Sequence, residues 1–174
     1  MRKVIFTCLL FLISISSSFA QNTPFDQQEN LLKLGLLGPN IEYETQIAPE
    51  TTLRAEAGLS FSFGYGGNAI GWLFEYGFYA KASPRWYYNL ENRLQDGKSV
   101  KKFSGNHLSF VSMAFMNNLT QNEPNQYIFG PAWGLQRNIG SNWYLNLEIG
   151  PGISISKEET QFVPIIGLDI GIQL

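Results

Sequence analysis

The sequence predicts an all-β chain folded as an eight-stranded antiparallel up-and-down transmembrane β-barrel. Three observations carry that expectation. The N-terminus has the order of an export signal, long runs alternate apolar and polar residues with period two, and no later stretch is apolar enough to cross a bilayer as a helix.

Arg2 and Lys3 precede an apolar run over residues 4–15, and small residues fill 16–20. That run is shorter than the roughly 20 residues a membrane-spanning helix needs, so the segment reads as a cleaved secretory signal. Ser18 and Ala20 fit the positions before the cut. The expected organisation is a signal peptide over 1–20, a short lead over 21–29 and one barrel domain over 30–174. Removing residues 1–20 takes away two basic groups and no acid, so the formal charge moves from −2 to −4. A mildly acidic chain offers nothing to attract nucleic acid. The one cysteine, Cys8, sits inside the apolar run, so the mature chain has no thiol for a disulfide, a metal or nucleophilic catalysis.

The strands can be marked in order. Residues 30–37 supply the first, with Gly38, Pro39 and Asn40 as a turn, and about 40–48 the second. Over residues 51–64, Leu53, Ala55, Ala57, Leu59, Phe61 and Phe63 alternate with Thr52, Arg54, Glu56, Gly58, Ser60 and Ser62. The run 73–88 sets Phe78, Ala80, Trp86 and Tyr88 against Tyr79, Lys81, Arg85 and Asn89. The run 104–117 is less regular, because Val111, Met113 and Phe115 make both its faces apolar. Residues 126–138 and 142–155 alternate again, the latter with Trp143, Leu145, Leu147 and Ile149 opposite Tyr144, Asn146 and Glu148. The last run, 160–174, turns Phe162, Ile166, Leu168, Ile170, Ile172 and Leu174 to one face. Runs of more than ten residues suit tilted membrane strands better than soluble sheets.

Seven long runs follow residue 40, and single-chain bacterial barrels have even strand numbers, so 30–37 is needed as the eighth. Both termini then lie in the periplasm. The turns near 48–50 and 137–142 are periplasmic, and the 64–71, 117–125 and 156–160 connections are extracellular. Residues 90–103 make an unusually long periplasmic connection. One bent strand over 31–47 is the alternative, and it would disturb the parity.

In this register Lys33, Arg54, Lys81 and Arg85 point inward with Glu42, Glu44, Glu56, Glu75, Glu148 and Asp169. An eight-stranded interior is just wide enough for side chains to fill, so these charges are expected to pair and plug the lumen. No cofactor or metal motif is present. Asn118-Leu119-Thr120 matches a glycosylation sequon by form alone.

His107-Leu108-Ser109 resembles the His-x-Ser element of outer-membrane lipid A deacylases, in which His activates the Ser nucleophile, and Glu148 could supply the third group. Phe110 stands where those enzymes usually have Asn. If Leu108 and Phe110 face lipid, His107 and Ser109 face the lumen, away from an outer-leaflet acyl chain.

A wider set of residues, Tyr87-Tyr88-Asn89-Leu90, Arg93, Gly97-Lys98, Ser104-Gly105-Asn106 and Trp133-Gly134-Leu135-Gln136-Arg137, resembles a family of small, mostly uncharacterised outer-membrane β-barrel proteins of Gram-negative bacteria. The resemblance implies a single-domain barrel of the OmpA transmembrane type. Leu174 stands where the usual assembly signal has a terminal aromatic. The expected function is non-enzymatic, with a structural, surface-interaction or partner-binding role, no catalytic residue and no cofactor. The expected partners are outer-membrane lipid and the barrel-assembly machinery. The contrasting readings are a deacylase using His107 and Ser109, and a narrow channel.

Overall fold

The structure, a computed structural model, describes residues 30–65, 72–116, 126–156 and 159–174; at 61–65 and 72–76 it defines the backbone path. The expected leader and lead, the 117–125 connection with its sequon, and the side chain of Glu75 lie outside what is described.

Eight strands follow one another in chain order: β1 Asn30–Gly35, β2 Asn40–Ala48, β3 Thr51–Tyr65, β4 Trp72–Trp86, β5 Gly105–Met116, β6 Gln126–Ile139, β7 Trp143–Ile155 and β8 Thr160–Gln173. Each pairs antiparallel with its neighbours, and β1 closes on β8 through Lys33↔Gln173, Leu34↔Ile172 and Gly35↔Gly171. The expected all-β, eight-stranded up-and-down class is therefore what the chain adopts. Residues 36–39 reverse the chain, so β1 and β2 are separate strands and the single bent strand is not formed. The turn begins two residues earlier than the sequence suggests. Asn40 is the first residue of β2, and its side-chain amide donates to the Gly38 carbonyl at 2.9 Å, closing the turn from within the strand.

Connections at the end bearing Asn30 and Leu174 are tight. Pro49-Glu50 joins β2 to β3, and residues 140–142 join β6 to β7 with Gly140 at φ +65°, a conformation glycine adopts without a Cβ penalty. The exception is the stretch between β4 and β5. It forms a short helix, α1 Leu90–Gln95, and a 3-10 turn over Lys101–Phe103. What the sequence marks as an unusually long connection is thus a folded cap.

Alternation governs burial. On β2, Asn40, Glu42, Glu44 and Gln46 are buried while Ile41, Tyr43 and Ile47 are exposed, and on β7, Tyr144, Asn146 and Glu148 are buried while Trp143 and Ile149 are exposed. Polar residues point in and apolar residues point out, the inverse of a soluble sheet. The interior is layered along its axis. Leu31, Tyr87, Leu90, Val100 and Phe103 cluster at the capped end, charged side chains fill the middle, and Val111, Ala132 and Ile165 pack beyond them with Met113 and Ile128. The irregular apolar alternation of β5 is explained by that last cluster, because Val111 is fully buried inside the ring.

Prolines interrupt two ladders, the first between β4 and β5, where the pairing lapses from Ala82↔Ser112 to Arg85↔Ser109 about Pro84. The β6–β7 pairing lapses between Phe129↔Ile153 and Trp133↔Ile149, where Pro131 and Pro151 stand. A Cβ on Gly150 would lie 2.1 Å from the Pro131 carbonyl oxygen, which is backbone and cannot swing aside. Gly150→Ala is therefore expected to lower stability by about 1–3 kcal/mol as an overpacking change, read as a lower urea midpoint for loss of the folded barrel.

Candidate functional site

The middle layer is the chemically distinctive part of the molecule, and strand parity builds it. Lys33 comes from β1, Glu42 and Glu44 from β2, Thr52, Arg54 and Glu56 from β3, and Lys81 and Arg85 from β4. Residues from β5 to β8 complete it: His107, Gln136, Asn146, Glu148 and Asp169. Lys33 Nζ donates to Glu42 at 2.7 Å, to Glu44 at 2.6 Å and to the Gln136 side-chain oxygen at 2.9 Å. Its ammonium also lies 5.3 Å from the centre of the Tyr144 ring, near enough for a cation–π contribution.

Arg54 reaches four carboxylates: Glu42, Glu56 at 2.9 Å, Glu148 at 3.2 Å and Asp169 at 3.1 Å. Glu148 is the counterpart among the acids. It receives Lys81 at 2.6 Å, Arg85 at 2.9 Å and Arg54 at 3.2 Å, and His107 Nε2 lies 3.4 Å from it. Arg85 also donates to Gln136 at 3.0 Å and Asn146 at 3.3 Å. All of Lys33, Glu42, Glu44, Arg54, Arg85 and Glu148 are fully buried. Charges so placed are tolerated because each meets several opposite partners; removing one partner leaves the rest uncompensated.

The network is closed below by the cap. Tyr87, the first residue after β4, keeps the inward parity of Arg85 and donates its hydroxyl to Glu44 at 2.8 Å. Burial, together with the Glu44 carboxylate, holds this phenol well above its ordinary range, so it remains a donor. Its ring stacks on Phe103 at 6.2 Å and sits 5.1 Å from the His107 ring. Lys102 and Phe103 take positive φ values of 52° and 54°, strained for residues with side chains. The 3-10 turn is pinned in that shape from β6: Gln136 Nε2 donates to the Lys102 carbonyl at 3.2 Å and Asn138 Nδ2 to the Lys101 carbonyl at 2.6 Å. Asn89 braces the other side by accepting the Asn106 backbone N–H at 2.7 Å.

The residues singled out as a potential hydrolytic set divide. His107 and Glu148 meet, but the Ser109 hydroxyl donates to the Ala132 carbonyl at 3.4 Å. Leu108 and Phe110 are exposed on the outer wall, so His107 and Ser109 point into the ring, both buried. The His107 ring lies over Gly134, where a Cβ would come within 2.5 Å of Nε2. Among the described residues no group of three or more His, Cys, Asp or Glu side chains is arranged to hold a metal ion.

The inward charges named from alternation converge, Glu75 being outside the described side chains. Sequence reasoning missed the neutral members: Thr52, which donates to Glu44 at 2.6 Å, Tyr87, Gln136 and Asn146. The same parity rule places all four inward. Charge had singled out the others, apart from His107, which the His-x-Ser spacing marked.

Fold and interior together define the class: a closed antiparallel eight-stranded barrel with an ion-paired, side-chain-filled middle and an apolar outer wall. Comparison with family models, with curated proteins and with solved structures gave no match.

Proposed function

We propose that this chain is an integral outer-membrane β-barrel, delivered by a signal peptide cut after Ala20, with both mature termini periplasmic and a structural, surface-interaction or partner-binding role. The observation that carries the reading is the outer wall. Leu34, Tyr43, Leu53, Trp86, Phe110, Tyr127, Ile153 and Ile166, one from each strand in turn around the ring, are exposed, while the charges are inside. Such an apolar exterior is stable when its solvent is lipid hydrocarbon, and a closed barrel is the one β architecture that satisfies its backbone there. Trp86 and Trp143 stand at the capped end, where aromatic girdles mark a membrane interface. No described helix is long and apolar enough to cross a membrane.

The scaffold reading is preferred to a channel because the middle layer fills the ring with paired side chains, and to a deacylase because His107 and Ser109 face inward. In fractionated cells the mature protein is expected in the outer membrane, migrating faster before boiling than after it. Lipid A from cells expressing the wild type, His107→Ala and Ser109→Ala is expected to show the same acylation by mass spectrometry. Recovery in the soluble periplasm would defeat the membrane reading. Loss of one acyl chain that depends on both residues would make the protein a hydrolase instead.

A further inference from the structure

The first hairpin is shorter than the wall it belongs to. Leu59 N–H bonds the Pro39 carbonyl and Leu36 N–H bonds the Ile170 carbonyl, so the hairpin ends level with Leu59 on β3 and Ile170 on β8. Beyond those points β3 continues to Tyr65 and β8 begins as far away as Thr160, and among the described residues no strand pairs with either edge there. Among the described residues the ring therefore has a notch two strands wide in the half remote from the cap. The hairpin tip is itself apolar, with Leu36 and Leu37 exposed to 55 and 57 %, and a groove beside it is lined by Pro39, Ile41, Ala57, Leu59, Phe78 and Met116.

Ladder alternation shows which backbone groups open into the notch. Because Leu59 N–H points to the hairpin, so do those of Phe61, Phe63 and Tyr65; because the Ile170 carbonyl does, so do the backbone groups of Leu168, Ile166, Phe162 and Thr160. The flanking wall stays apolar at this height: Phe162 and Ile166 are 76 and 72 % exposed. If the barrel lies in a membrane, as proposed above and as this inference requires, these groups sit in hydrocarbon, which offers no hydrogen bond. Lipid cannot satisfy them, whereas another strand can.

We propose that a second copy of this chain occupies the β3 side of the notch, pairing its β3 edge antiparallel with this one about a two-fold axis. The two edges are not equivalent. Pro164 breaks the row of donors on β8, while residues 59–65 of β3 contain no proline and no charged residue, the devices by which strand edges are normally blunted. Identical antiparallel edges are self-complementary, and a two-fold axis closes the assembly at a dimer.

The test uses single cysteines at positions 59–65, one at a time, oxidised in native outer membranes; with Cys8 in the predicted leader, the mature chain has no other thiol. A disulfide-linked species of twice the monomer mass is expected, strongest at one position, where the two copies of that residue face each other, and absent for Phe110→Cys elsewhere on the wall. Phe63→Pro removes an N–H that faces only the notch, so it is expected to abolish the dimer at normal barrel levels. Should that variant not insert, the cysteine scan decides alone. A monomer at all seven positions in correctly inserted protein would overturn the proposal, as would cross-linking to a different protein. A chain absent from the outer membrane would instead defeat the membrane reading beneath it.

Discussion

Replacing Glu148 by alanine is expected to cost about 3–5 kcal/mol, the range for removing one member of a buried ion-paired set. Glu148 carries Lys81, Arg85 and Arg54 within 3.2 Å and is fully buried, so its loss strands three cations together in the lumen. The measurement is the urea midpoint of the folded barrel in detergent or vesicles, with tryptophan fluorescence as probe. Arg85→Ala is expected to act in the same direction, and the double variant to lose less than the sum, because the partners share one network. A loss under about 1 kcal/mol for Glu148→Ala, the scale of a surface ion pair, would show that these charges do not depend on one another as drawn.

Phe103→Ala is the second large effect, about 3–5 kcal/mol for truncating a fully buried aromatic. The ring stacks on Tyr87 and holds the 3-10 turn against the barrel mouth, and that packing helps sustain the strained φ of Lys102 and Phe103 together with the bonds from β6. Truncation should therefore release the cap as well as leave a cavity. Limited proteolysis is expected to cut the variant between residues 91 and 102 at least tenfold faster than the wild type. An unchanged cleavage rate would mean that the cap is held without Phe103.

Much of this architecture is legible from residue order, and the reason is local. Period two is a property of the extended backbone, so Arg54, Lys81, Arg85 and Glu148 can be assigned inward from their neighbours alone, and counting the runs to an even number recovers eight strands. His107 and Ser109 follow the same rule, their shared face being set by Leu108 and Phe110 between and after them. Location in a membrane is an inference of the same origin, drawn from that pattern and the leader-like segment.

Closure of the ring decided the rest. Which cation meets which acid depends on contacts across the lumen, such as Arg54 with Glu148, 94 positions apart in the chain, and no local period encodes them. Neutral Gln136 and Asn146 became network members only because the ring brought them to Arg85. The stretch from 90 to 103 reads as a loop, since Leu90, Val100 and Phe103 obey neither strand nor helix spacing. They are buried because an open barrel end offered them an apolar place to fold into. The depth of the first hairpin has the same character: the sequence alone determined that Leu36, Leu37 and Pro39 lie near a reversal, and only pairing with Ile170 and Leu59 decided how far up the wall that reversal stops.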